Sequence, residues 1–156
     1  MQVGLMQLYF LATAANMLAG LVLANAYLAR RVPAVSKVGD VFAARGARLT
    51  LGAITAAAGL LTLLFPLQHL AVFGDFLPAL AGMAGGSGLL ASAITESRAA
   101  TAGASKTTKG SAAPVVRAHG PVERAAKLAA TYQMPLGIAT LAAGLVHFLI
   151  PGTLFF

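Results

Sequence analysis

Few groups in these 156 residues can do acid-base or ligand chemistry: three histidines, four carboxylates and no cysteine. His69 and His147 stand out because each falls in an apolar stretch, and imidazoles from two helices can ligate a b-type haem iron from opposite faces. Depth opposes that pairing. An internal repeat, set out below, puts His147 level with Thr62, which leaves His69 seven residues further along, about 10 Å on a helix axis. Trans ligands of one iron need to be nearly level. A haem-binding electron carrier is therefore the least favoured of three functions considered, and no cofactor or metal is expected.

The carboxylates do not converge either. Asp75 and Glu96 bracket one uncharged stretch, while Asp40 and Glu123 lie in basic segments. General acid-base catalysis needs its groups around one substrate, so no catalytic residue is assigned. The lack of cysteine removes disulfides, thiolate nucleophiles and cysteine-ligated metals. What remains is a candidate intramembrane polar site of Asn16, Thr62, Thr140 and His147, with Gln7 and Thr13 nearby in the chain. These side chains could line a polar path or a small-molecule pocket. The plainer reading is interhelical hydrogen bonding, worth roughly 0.6 kcal/mol per bond.

The elements that must hold these groups are long and uncharged. Residues 1–29, 49–74, 76–95 and 128–156 contain no Asp, Glu, Lys or Arg. Each reaches the ~20 residues that a helix needs to cross ~30 Å of hydrocarbon. With 58% hydrophobic and 10% charged residues, the chain is far from the roughly 25% charged residues of soluble domains. The expected fold is an all-α integral membrane protein with four transmembrane helices.

Residues 51–66 read LGAITAAAGLLTLLFP and residues 136–151 read LGIATLAAGLVHFLIP, nine identities in sixteen at an offset of 85. A fainter echo aligns Phe10-Leu11 and Met17 with Phe76-Leu77 and Met83. After a one-residue shift, Leu23-Ala24, Ala26 and Arg31 align with Leu90-Ala91, Ala93 and Arg98. The chain thus reads as a two-helix hairpin duplicated in tandem within one membrane domain, over residues 1–73 and 74–156. A pseudo-twofold axis along the membrane normal would relate the two copies. The run Arg117-Ala118-His119 resembles the opening of a helix in membrane glutathione-transferase-like proteins, which also have four spans. Here it stands before the fourth stretch rather than the second, and Pro121 sits where that pattern has Asn. Thiol chemistry is not carried over.

The formal charge of +7 is placed rather than spread. Every Lys and Arg lies in residues 30–48 or 98–127. Short basic loops stay cytoplasmic, so both basic loops (30–48 and 97–127) are expected inside and both termini outside, in a bacterial-type cytoplasmic (inner) membrane. Arg30, Arg31, Arg45, Arg48, Arg124 and Lys127 are the expected contacts to anionic lipid, at about 1 kcal/mol each near the surface. No aromatic-basic pattern accompanies the charge, so nucleic acid is not an expected partner.

Small residues set the packing. Asn16 lies one turn from Ala12 and Gly20; Gly52 with Ala56, Thr55 with Gly59, and Gly82 with Gly86 make small-xxx-small faces, and Gly144 lies in the second repeat copy. The predicted helix contacts are Gly20, Gly52, Gly59, Gly82, Gly86 and Gly144, and these faces exceed what one internal contact needs. Within the first loop, Pro33 stops the preceding helix; Val38, Val41 and Phe42 give residues 37–48 the pattern of a short helix lying along the headgroups. Gly74-Asp75 is the expected link between the second and third spans. Residues 99–114, without large apolar side chains, are an expected mobile loop, Pro66 is an expected kink, and Pro135 is expected to kink or restart its helix.

With no soluble domain of any size and no buried charge, the expected function is non-enzymatic: a small integral subunit, an accessory or scaffold part of a membrane complex. It would pack against lipid and other membrane proteins or copies of itself. The alternative is a small-solute transporter or channel built on the duplicated hairpin.

Overall fold

Alanine and leucine favour helix, and once a turn is nucleated each further residue adds a hydrogen bond. The computed structural model describes residues 2–65, 72–104, 124, 127–128 and 130–150. Six α-helices are assigned among them: α1 (Gln2–Leu23), α2 (Asn25–Leu28), α3 (Ala34–Val41), α4 (Arg45–Leu64), α5 (Val72–Ala104) and α6 (Gln133–Leu149). Segments Arg45–Leu64 and Phe76–Ser97 are long and apolar enough to cross a membrane, and Gln7–Leu23 and Gln133–Leu149 are shorter apolar helices. Two segments of spanning length are thus described, against the four expected.

Several boundaries differ from those expected. Helix α5 begins at Val72 and passes through Gly74-Asp75 without a break, so the link to α4 falls earlier. At its other end α5 runs on to Ala104. Residues 99–104, expected as the start of a mobile loop, are alanine-rich and extend an existing helix, which carries no new nucleation cost. The rest of that loop, with Arg117, His119 and Glu123, lies outside the described residues, as do Pro66, Gln68, His69 and Pro151. The amphipathic segment forms three residues early, as α3, because Pro33 takes helical dihedrals (φ −55°, ψ −29°) at its start. Val41 consequently points to solvent at 69% exposure, while Val35, Val38 and Phe42 are half-buried. Pro135 lies in the first turn of α6, where a missing N–H costs little.

Two antiparallel pairs form the bundle, and in both the contact is backbone against backbone. On α4 and α5, a Cβ at Gly86 would meet Ala56 N at 2.5 Å and Gly52 O at 2.6 Å. On α1 and α6, a Cβ at Gly20 would meet Gly137 O at 2.7 Å and crowd Leu141 N. Gly137 and Leu141 stand 85 residues after Gly52 and Ala56, and Gly86 stands 66 after Gly20. The hydroxyl contacts repeat by the same offsets. Thr55 Oγ1 lies 3.4 Å from Ala15 O and Thr140 Oγ1 lies 3.4 Å from Ala81 O, and each also donates to its own helix, to Leu51 O and Leu136 O.

Gly52, Gly59, Gly82, Gly86, Gly20 and Gly144 all meet atoms of neighbouring helices within the chain. The small-residue faces are therefore used in internal packing. Two different helix pairs need them, not one.

The interior is built mostly of small residues, with several polar ones among them, and the exterior of large apolar ones. Thr13, Asn16, Thr55, Thr62, Thr140 and His147 are buried, as are Ala12, Ala15, Ala19, Ala58, Ala79 and Ala93. Leu149, Leu64 and Phe10 are 66%, 62% and 59% exposed. A larger apolar cluster of Leu23, Leu51 and Leu89 with Ala19 lies toward the basic end, with Val22, Phe42 and Leu136 packed against it.

Candidate functional site

Helix α1 supplies the amide at the centre of the bundle. Asn16 is 2% exposed, and its Nδ2 donates to Pro78 O at 2.8 Å on α5. The residue 66 after Asn16 is Gly82, and a Cβ there would meet Asn16 Oδ1 at 2.7 Å. The repeat is thus broken where it must be: one amide fills the middle, and the equivalent position gives it room. A buried amide left without this partner would bear the desolvation cost of its N–H groups as well as losing the bond.

The other members of the predicted polar set each have contacts of their own. Thr62 Oγ1 donates to Ala58 O of its own turn at 2.9 Å. Thr140 touches α5 at Ala81 and Gly85. His147, 5% exposed, lies under Tyr9, with ring centroids 4.5 Å apart at an interplanar angle of 44°. The Tyr9 hydroxyl donates to His147 O at 2.5 Å. Thr13 is 1% exposed, and its hydroxyl has no hydrogen-bond partner among the described residues. Gln7 is exposed. The arrangement is one of separate bonds to backbone carbonyls, which fix helix register more directly than they bind a solute. Among the described residues no group of three His, Asp or Glu is placed to hold a metal ion.

A second polar cluster was missed in the sequence. Arg48, at the start of α4, makes a two-pronged ion pair with Glu96 of α5, Nη1 to Oε1 at 2.5 Å and Nη2 to Oε2. The signal was present: antiparallel neighbours bring the start of one helix beside the end of the next. Arg48, one of the expected lipid contacts, thus has a partner inside the chain. Arg31 stacks its guanidinium over Tyr27, 4.8 Å from the ring centroid. Arg30, Arg45, Arg124 and Lys127 are exposed. Beside the ion pair is a cleft of about 280 Å³, lined by Asn25, Arg48, Ser92 and Gln133 and closed by Gly39 and Phe42 from the α3 side. Helix α3 reaches the Asn25 amide through Gly39, where any side chain would occupy the position of that amide.

Between α5 and α6 runs a second, apolar groove of about 480 Å³, its walls formed by Leu77, Leu80, Ala84, Ala143 and Val146, with Thr140 among them.

No curated protein and no solved structure matches the chain. A family model does match, over residues 5–147, which covers all or nearly all of every long helix described above. The chain belongs to that family, one of unknown function.

Proposed function

We propose that the chain is a four-span membrane protein, a duplicated hairpin with a pseudo-twofold axis along the membrane normal, acting as a non-enzymatic integral subunit that packs against lipid and other membrane proteins. The observation that carries this reading is the outer surface: leucines, isoleucines and phenylalanines are exposed along every long helix, around an interior of alanines, three leucines, threonines, an asparagine and a histidine. In water that arrangement would expose apolar surface on every long helix and bury polar groups, both unfavourable. In lipid the outer surface is matched by acyl chains, and small residues and interhelical hydrogen bonds hold the helices together. Helices α1 and α6 supply the two remaining spans, continued beyond their described ends by uncharged sequence. The basic segments then lie on the cytoplasmic side.

A structural subunit is favoured over a transporter because the polar side chains of Asn16, Thr62 and Thr140 bond to backbone carbonyls, which ties them to helix packing. The test is extraction followed by identification of company. The chain is expected to stay in the membrane pellet through alkaline carbonate, and to run in digitonin at a size well above one chain with other integral proteins. Release by carbonate would sink the membrane reading. Recovery in digitonin as a lone chain would sink the subunit reading alone.

A further inference from the structure

The repeat makes two seams on the outer surface equivalent, and the side-chain sizes along them are exchanged. One seam, between α5 and α6, carries the furrow of about 480 Å³. Its counterpart lies between α1 and α4, where Thr55 meets Ala15 O as Thr140 meets Ala81 O. By the offsets of 66 and 85, Ala84 and Ala139 of the furrow stand where the first seam has Leu18 and Ile54. A Cβ at Gly85 would meet Thr140, which puts Ala84 and Ala139 at one level. One turn along, the sizes reverse, and Leu80 of the furrow stands where the first seam has Ala14. Leu18, Ile54 and Leu80 are 38%, 43% and 41% exposed, so all three project outward. The furrow has room for about three leucine side chains, taking the ~150 Å³ that truncating one large core side chain leaves.

Large against small at both levels fits the first seam of one molecule to the second seam of another. On the membrane reading and the pseudo-twofold axis proposed above, on which this step rests, equivalent positions lie at equal depth. A neighbour displaced sideways in the membrane, without rotation, sets α1 of one chain against α6 of the next and α4 against α5. The same helix pairs already pack closely inside the chain. Leu18 then meets Ala139, Ile54 meets Ala84, and Leu80 comes against Ala14 and Ala57, both exposed. We propose that the furrow between α5 and α6 seats the ridge along α1 and α4 of a second copy of this chain. Small residues let membrane helices approach closely. An acyl chain would also fill a furrow, but it gives no reason for the exchange of sizes between the seams. The two faces differ, so the contact is heterologous and repeats, closing as a ring or running as a row.

The test uses the full chain, which has no native cysteine, in the membranes of the expressing cells. Two differently tagged copies are co-expressed, one with Leu18→Cys and one with Ala139→Cys, and oxidised with copper phenanthroline. A disulfide needs Cβ atoms within about 4.5 Å. A mixed dimer is therefore expected, and neither variant alone should give one. Leu60→Cys, exposed on α4 but turned away from Ile54 by the helix repeat, paired with Ala139→Cys sets the level of random collision. Ala84→Leu puts the first seam's residue into the furrow; beside Ala139→Cys it should cut the mixed dimer about tenfold by overpacking the contact. If Ala84→Leu does not fold, the pairing pattern still decides. A dimer from Leu18→Cys alone, a mixed dimer no stronger than with Leu60→Cys, or one undiminished by Ala84→Leu would overturn the proposal. A chain that gives no mixed dimer, yet stays in the carbonate pellet and runs with other integral proteins in digitonin, removes this proposal and leaves the function proposed above standing.

Discussion

Replacing Gly86 by alanine adds one methyl group, and its cost can be worked from the backbone. The new Cβ would lie 2.5 Å from Ala56 N and 2.6 Å from Gly52 O, where ordinary contact begins at 3.4 Å. Neither neighbour is a flexible side chain that can swing away, so α4 and α5 must part by about 0.9 Å near the contact. Overpacking of this kind costs about 1–3 kcal/mol, and rigid backbone on both sides puts it at the upper end. Alanine returns about 1 kcal/mol of helix propensity. The net loss is about 2 kcal/mol, close to a thirtyfold shift toward the unfolded state. Gly46→Ala is the control, because a Cβ there meets nothing within 4 Å; it should be neutral or stabilising. Gly20→Ala is the twin, and should cost as much as Gly86→Ala. Unfolding by sodium dodecyl sulfate in dodecylmaltoside, followed by far-UV circular dichroism, measures all three. Gly86→Ala as stable as the parent would refute the close approach of α4 and α5.

Three further outcomes follow from the same geometry. Asn16→Leu removes the buried bond to Pro78 O and presses a branched side chain on Gly82, and should cost about 1–3 kcal/mol in the same titration; a neutral result would mean the amide does not join α1 to α5. Thr55→Val and Thr140→Val keep shape and lose matched hydroxyls, so their costs should agree at roughly 0.6 kcal/mol each, and a large inequality would count against equivalent roles. The Arg48–Glu96 pair has one partner largely exposed, so a double-mutant cycle with alanine should give a coupling of only about 0.2–1 kcal/mol, falling with salt; zero coupling at low salt would place the pair among contacts without energetic weight.

Much of the architecture was readable because the chain repeats itself. The offset of 85 in the strong repeat recurs in space, as Gly52 and Gly137 each take a neighbour's glycine. The weaker offset of 66 carried Phe10, Met17 and their partners in the sequence, and the contacts add Gly20 with Gly86 and Ala15 with Ala81. What was misread has a common cause. Composition marks a helix but not its partners, so the glycines were counted without knowing that two interfaces inside the chain use them. Turn residues were overvalued at Gly74-Asp75, where helix α5 simply continues. The ion pair of Arg48 with Glu96 was missed because Arg48 was assigned to a loop and Glu96 to a span end before their helices were oriented against each other. The cleft beside Asn25 could not be foreseen, since it depends on where α3 settles.

The most direct measurement uses the absence of native cysteine. Lys37→Cys on α3 and Phe65→Cys at the far end of α4 are both exposed and lie at opposite ends of the bundle. In intact cells a membrane-impermeant maleimide should modify Phe65→Cys and spare Lys37→Cys until the membrane is broken. Labelling of Lys37→Cys in intact cells, or equal labelling of both, would contradict a bundle held across the membrane with its basic end inside.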